Sequence, residues 1–166
     1  HGLSSIAFPS ISTGAYGFPP PRAAHIAVTT VLAGLRTAPA LQRVVFWHEA
    51  LRDAIAIDLT VDPTTGVRPA NQVGPTRAGR ALAIAMIAVY DAANAFEQKY
   101  YPYSHLGAAP AGASMDAATA YAAHDALVAL YPDQAQRFDD LLAADLSTLT
   151  ASPSSINLGR QLGEAS

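Results

Sequence analysis

Two acidic side chains in one helical segment have the spacing that a metal site requires. In the segment WHEALRD, Glu49 and Asp53 are four residues apart and therefore lie on one face of a helix. Carboxylates this close repel each other unless a cation or a proton lies between them. Helical bundles build metal sites from carboxylates and histidines that project inward from facing helices. We therefore expect Asp91 and His124, on the two following helices, to complete a divalent metal site.

A divalent metal ion at these four residues would supply hydrolytic chemistry. It would polarise a phosphoryl oxygen and lower the pKa of a bound water molecule, with Asp91 and His124 as the catalytic acid-base groups. The chain contains no cysteine, so the ligands would be nitrogen and oxygen atoms. The leading prediction from these residues is a metal-assisted hydrolase.

A purely structural role for the same polar residues remains open. Buried polar side chains usually hydrogen-bond to one another or to loop backbone, and Arg52 and Arg80 are available as ionic partners. Glu49 and Asp53 would then face solvent. Asp91 lies in an apolar segment, where an unpaired carboxylate is costly, so we expect it to have a partner.

The composition limits the classes of protein that the chain can represent. Its 166 residues suit one cooperative domain, and 51% of them are hydrophobic while 14% are charged. A net charge of −3 gives no basic field to attract nucleic acid. The longest apolar runs, Ala81 to Tyr90 and His25 to Leu35, are shorter than the roughly 20 residues that cross a bilayer. We therefore expect neither nucleic acid nor a membrane as a partner.

Hydrophobic periodicity predicts a mainly α fold, a bundle of about five helices preceded by a short N-terminal β-containing segment. Ser4 to Ser12 and Arg43 to Phe46 have the β-branched and aromatic content of strands. The predicted helices are Arg22 to Leu35, Trp47 to Leu59, Arg80 to Gln98 (the expected central helix), a helix capped by Ser114 that runs to Leu130, Asp133 to Leu149, and a short last helix through Leu158 and Leu162. Asp62 to Gly79 is predicted to be a long loop.

The N-terminal segment carries a motif of a ligand-binding family. The stretch SIAFPSISTGAYGFPPPRAAHIAVTTVLAGL, followed by RVVF, resembles the C-terminal part of macro domains, which bind ADP-ribose. In that family a Ser-Thr-Gly-x-Tyr-Gly loop holds the diphosphate of the ligand through backbone N–H groups. The resemblance implies that the corresponding ligand-binding residues are Ser12, Thr13, Gly14, Ala15, Tyr16 and Gly17. The earlier strands and the second phosphate loop of the family have no counterpart here.

The remainder of the chain resembles a different family. The segments WHEALRDAIAID, GRALAIAMIAVYDAANAFEQKYYPY and APAGASMDAATAYAAHDALVALYP are similar to the N-terminal helical region of proteins related to vanadium-dependent haloperoxidases and acid phosphatases. That family binds vanadate or phosphate with residues on later helices, and those residues are absent here, so no vanadate is expected. The two resemblances imply a macro-domain-like fragment over residues 1–46 and a haloperoxidase-like helical fragment over residues 47–166.

Two alternatives to the hydrolase follow from these resemblances. One is a module that binds ADP-ribose or a related diphosphate, and the other is a catalytically inert chimeric fragment that lacks the vanadate site. Both families handle phosphate-like groups, so the resemblances imply that the metal-assisted hydrolase acts on phosphoester-type substrates. For the hydrolase and for the ADP-ribose module alike, the expected partner is a small phosphate-containing molecule. The start of the sequence is typical of a fragment or a processed product. An exposed strand edge at Ser4 to Ser12 or Arg43 to Phe46 would pair with a second chain or wrap onto the bundle, and of the two we expect a homo-oligomer, in the simplest case a homodimer.

Overall fold

The computed structural model describes residues 39–166, with side chains from Gln42 onward. The chain divides into two units, with the boundary between Val45 and Phe46, and the second unit is described over its whole length. The predicted strand Ser4 to Ser12 and the predicted helix Arg22 to Leu35 lie outside the described residues. The assignment of two family fragments within one cooperative unit stays a prediction.

Five α-helices and one short 3₁₀ helix make up the described part of the chain. They are α1 (Pro39–Leu59), α2 (Pro75–Glu97), α3 (Met115–Leu130), the 3₁₀ helix (Pro132–Gln134), α4 (Ala135–Ser147) and α5 (Pro153–Glu164). Residues 39–166 contain no strand, which confirms the prediction of a mainly helical protein. None of the helices in this range is both long and apolar enough to cross a membrane.

Two of the predicted boundaries are wrong. Arg43 to Phe46 lies inside α1 and is not a strand, because β-branched content is a weak preference that a longer helix starting at Pro39 overrides. The loop predicted to run to Gly79 ends at Gly74, and α2 begins at Pro75, where the fixed φ of proline suits the first helical position. The predicted cap of α3 is confirmed, since the Ser114 side chain accepts a hydrogen bond from the Ala117 N–H.

The central helix of the bundle is α3, which contacts α2, α4 and α5. The sequence favoured α2 for this position because of its apolar run. In α3, alanine side chains are buried on several faces, among them Ala117, Ala118, Ala120 and Ala123. Side chains this small let neighbouring helices approach on more than one side, so a helix rich in alanine occupies the centre more easily than one rich in larger residues.

Helix α5 packs against α3 through two glycines spaced four residues apart. A Cβ atom added at Gly163 would lie 2.8 Å from the Tyr121 Cβ, and one added at Gly159 would lie 2.9 Å from the Ala117 Cβ. Carbon atoms in ordinary contact are about 3.5–4.0 Å apart, so neither position has room for a side chain. The sequence Gly-x-x-x-Gly therefore sets the distance between these two helices.

Candidate functional site

The two carboxylates on α1 face solvent. Glu49 and Asp53 are exposed, while Trp47, Leu51 and Ala54 on the opposite face of the helix are buried. The Asp53 carboxylate lies 3.3 Å from the Arg137 guanidinium on α4. An exposed pair of this kind contributes little to stability.

Asp91 has the partners that its burial requires. Its side chain is 2% exposed, and its two oxygens accept hydrogen bonds from the Tyr103 N–H at 2.9 Å and the Ser104 N–H at 2.7 Å. The carboxylate on α2 thus holds the loop that follows the helix. This arrangement is the loop-backbone alternative that the sequence left open.

His124 lies between two carboxylates on α3 and α4. Its Nδ1 atom is 2.7 Å from an oxygen of Asp125, and its Nε2 atom is 2.8 Å from an oxygen of Asp139. The contact with Asp139 joins α3 to α4. Both ring nitrogens are therefore engaged with side chains of the protein.

The structure does not bring the four predicted metal ligands to one centre. Among residues 39–166, no group of three or more histidine, aspartate or glutamate side chains is arranged to hold a metal ion. Asp53 pairs with Arg137, and His124 pairs with two aspartates. The metal site formed by Glu49, Asp53, Asp91 and His124 stays a prediction. The predicted diphosphate loop, Ser12 to Gly17, lies outside the described residues.

Asp58 is a buried carboxylate that the sequence analysis missed. It is 1% exposed, and its oxygens accept hydrogen bonds from the Asn71 N–H at 2.6 Å and the Gln72 N–H at 2.8 Å. It lies on the same face of α1 as Leu51 and Ala54, just before a long loop. That position, a carboxylate on the apolar face at the end of the helix, is the signal that could have revealed it.

Near the loop residues that are hydrogen-bonded to Asp58, some buried side-chain atoms have no hydrogen-bond partner among the described residues. Among the described residues, no hydrogen-bond partner is found for the Tyr131 hydroxyl, the Asn71 Oδ1 or the Gln134 Oε1. The Gln134 Nε2 donates to the Ala54 carbonyl of α1 at 3.0 Å. Burial raises the pKa of Tyr131, and the negative charge of Asp58 raises it further. The neutral phenol is therefore the stable form here.

A groove of about 290 Å³, which we call the tyrosine groove, opens at the C-terminal end of α2. The helix and the loop after it both line the groove, through Asp91, Asn94, Ala95, Gln98, Lys99, Tyr100, Tyr101, Pro102 and Leu106. The Asn94 amide fixes the loop, because its Nδ2 donates to the Tyr100 carbonyl at 2.7 Å and its Oδ1 accepts from the Tyr100 N–H at 3.0 Å.

Comparison with known proteins finds similarity at the N-terminus. The macro domain family model matches residues 1–27. A macro domain-containing protein of Chlorobaculum tepidum is 50% identical over 53 residues, which are 32% of this chain and 31% of the relative. The O-acetyl-ADP-ribose deacetylase of Citrobacter koseri is 68% identical over 31 residues, 19% of this chain and 18% of the enzyme. The enzyme of the same name from Klebsiella pneumoniae is 60% identical over 42 residues, 25% of this chain and 24% of the enzyme.

These matches cover a small part of each protein. The chain spans less than a third of the length of each of these relatives. No solved structure matches the chain significantly. The similarity to haloperoxidase-related proteins over residues 47–166 stays a prediction. The N-terminal part of the chain is therefore macro-domain-like, in agreement with the resemblance of its Ser-Thr-Gly-x-Tyr-Gly motif.

Proposed function

We propose that the protein binds ADP-ribose or a related diphosphate through the segment Ser12 to Gly17. The observation that carries this proposal is the match of residues 1–27 to the macro domain family. Two of the relatives are named O-acetyl-ADP-ribose deacetylases, and the ligand that we propose belongs to the class in those names. In this proposal the helical unit Phe46–Ser166 is a scaffold attached to a ligand-binding segment.

The sequence of the loop suits a diphosphate. Gly14 and Gly17 lack a Cβ, which allows their backbone N–H groups to approach phosphate oxygens closely. The predicted helix that begins at Arg22 would direct the positive end of its dipole towards the ligand. Because the six residues of this loop offer few contacts to a ligand, we expect a dissociation constant in the range of about 0.1–1 mM.

Isothermal titration calorimetry of the tag-free chain with ADP-ribose tests the proposal. Gly14→Glu places a negative charge against the diphosphate and is expected to weaken binding by about tenfold or more. Gly107→Glu is the matched control, since a Cβ at this exposed loop glycine meets nothing within 4 Å. Circular dichroism establishes that both variants keep their helical content. An absence of binding heat at millimolar ADP-ribose in the unaltered chain would end the proposal.

The metal-assisted hydrolase is the second function that we carry forward. It requires Glu49, Asp53, Asp91 and His124 to hold a divalent ion, whereas an inert chimeric fragment would bind neither metal nor ligand. Elemental analysis of the purified chain, with phosphoester hydrolysis measured before and after chelation, separates the two. Stoichiometric metal and chelator-sensitive turnover that is lost in a folded Asp91→Ala variant would support the hydrolase. The hydrogen bonds of Asp91 to the loop backbone favour a structural role for this residue.

We also carry forward self-association, now through Ser4 to Ser12 alone, because Arg43 to Phe46 is helical. Sedimentation equilibrium is expected to give a mass of about twice the 17.2 kDa of one chain. Gel-filtration behaviour of a compact single chain at all concentrations would contradict this expectation.

A further inference from the structure

We propose that the tyrosine groove is a second ligand site, and that it binds a small organic cation of the quaternary ammonium type. The groove belongs to the helical unit and does not involve Ser12 to Gly17. Its volume of about 290 Å³ is near the lower end for ligand pockets, so it suits a compact ligand and not a dinucleotide.

Aromatic side chains give the groove its affinity for a cation. Tyr100 and Tyr101 line it, and they are 50% and 96% exposed. The face of a tyrosine ring attracts a cation within about 6 Å of its centre. A cation already occupies such a position here, since the Lys99 ammonium lies 5.5 Å from the centre of the Tyr100 ring.

Charges around the groove favour a positive ligand over a negative one. The groove lies at the C-terminal end of α2, where the helix dipole is negative. Asp91 lines it, and the exposed carboxylate of Glu97 is in the last turn of the helix. Lys99, the only lysine of the chain, is the single cationic side chain among the lining residues. No ion pair of Lys99 is found within residues 39–166, and its ammonium lies over the face of the Tyr100 ring.

The backbone of the loop that carries the two tyrosines is held in place before a ligand arrives. Asn94 holds the Tyr100 backbone through two hydrogen bonds, and Asp91 holds the next turn of the loop through Tyr103 and Ser104. The Tyr90 hydroxyl also donates to the Tyr101 carbonyl at 3.0 Å. A preorganised wall reduces the entropy lost on binding, which helps a small ligand with few contacts.

An ammonium ligand would take the place of the Lys99 ammonium over Tyr100. Lys99 is exposed, so its flexible side chain can leave the ring without breaking an ion pair in the described part of the chain. The proposal therefore makes an unusual prediction for Lys99→Met. Loss of this competing like charge strengthens binding of a cation, whereas it would weaken binding of an anion.

The test is an NMR titration of the full chain with choline, followed through backbone amide shifts. Its neutral carbon analogue, 3,3-dimethyl-1-butanol, has the same shape without the charge. We expect saturable shifts at residues 94–106 with choline and at least threefold weaker binding of the neutral analogue. Lys99→Met is expected to tighten choline binding by about threefold, and Tyr100→Leu to weaken it by about three- to tenfold.

A control variant keeps the result interpretable. Arg68→Met removes an exposed cation from a different loop that does not line the groove, so it is expected to leave choline binding unchanged. Equal binding of the neutral analogue, weaker choline binding in Lys99→Met, or no saturable shift at residues 94–106 would each overturn the proposal. The ADP-ribose proposal is unaffected by these outcomes, because Gly14→Glu tests it at a different segment.

Discussion

In the helical unit, two buried carboxylates each accept hydrogen bonds from two backbone N–H groups. Asp58 and Asp91 each lie on the buried face of a helix and accept two consecutive N–H groups from the loop that follows it. A hydrogen bond to a charged group contributes more to stability than one between neutral groups. The two long loops of this unit are therefore ordered by charges on the helices.

Replacing Asp91 with asparagine tests this role. One carboxylate oxygen would become an NH₂ group that faces a backbone N–H, so one hydrogen bond is lost and two donors oppose each other. We expect the free energy of unfolding to fall by about 2–3 kcal/mol, measured by urea denaturation. Asp140→Asn, at an exposed position of α4, is the matched control and should change stability by less than about 0.5 kcal/mol. Equal stability of the Asp91 variant would show that the loop bonds contribute nothing.

For Tyr131 we expect a substitution to increase the stability of the protein. Its buried hydroxyl has no partner among the described residues and lies near the charge of Asp58, so its desolvation is uncompensated. Tyr131→Phe is expected to raise the free energy of unfolding by about 1 kcal/mol. Tyr90→Phe is the control, because it removes the hydrogen bond to the Tyr101 carbonyl and should be neutral or slightly destabilising. A loss of stability in Tyr131→Phe would mean that water or another group satisfies the hydroxyl.

At the scale of the element, the contact of α5 with α3 depends on the absence of side chains. Gly163→Ala would place a Cβ 2.5 Å from the Ala118 carbonyl oxygen and 2.8 Å from the Tyr121 Cβ. Because these atoms belong to backbone and to a neighbouring Cβ, they cannot rotate away and the helices must separate. We expect a loss of about 2–3 kcal/mol in the free energy of unfolding, measured by denaturant titration.

Gly79→Ala is the matched control for this helix contact. Gly79 lies within α2, and a Cβ there meets nothing within 4 Å. The substitution should therefore stabilise the protein by about 0.5–1 kcal/mol through helix propensity. If both glycine variants gained stability, the close packing of α5 on α3 would be refuted.

The helices were more predictable from sequence than the way they meet. Local signals located the five α-helices of residues 39–166: apolar content and spacing for most of them, and the Ser114 cap with Asp116 in the first turn for α3. The central position of α3 and the glycine contact of α5 depend on distances between segments far apart in the chain. The predictability of the site residues differs for the same reason. The spacing of Glu49 and Asp53 can be read from the sequence, whereas the hydrogen-bond partners of His124 and Asp91 are set by the tertiary structure.

At the scale of the whole molecule, the question is whether the chain unfolds in one step. Its length predicts one cooperative unit. Trp47 is the only tryptophan, and it is buried, with its Nε1 donating to Asp145 on α4 at 2.9 Å. Its fluorescence therefore reports on α1 and α4, while far-ultraviolet circular dichroism reports on every helix.

We expect the two signals to give the same midpoint in a urea titration, because α2, α4 and α5 pack on α3, and hydrogen bonds of Trp47 and Gln134 join α1 to α4 and the 3₁₀ helix. The Trp47 emission should shift to longer wavelength at that midpoint, as the indole passes from a buried site into water. Trp47→Phe, followed by circular dichroism alone, should be less stable, since it removes the bond to Asp145 and some buried surface. A fluorescence change that is complete before half of the helical signal is lost would contradict a single unit. It would mean that α1 separates from the bundle first, and the chain would then have at least two independently unfolding parts.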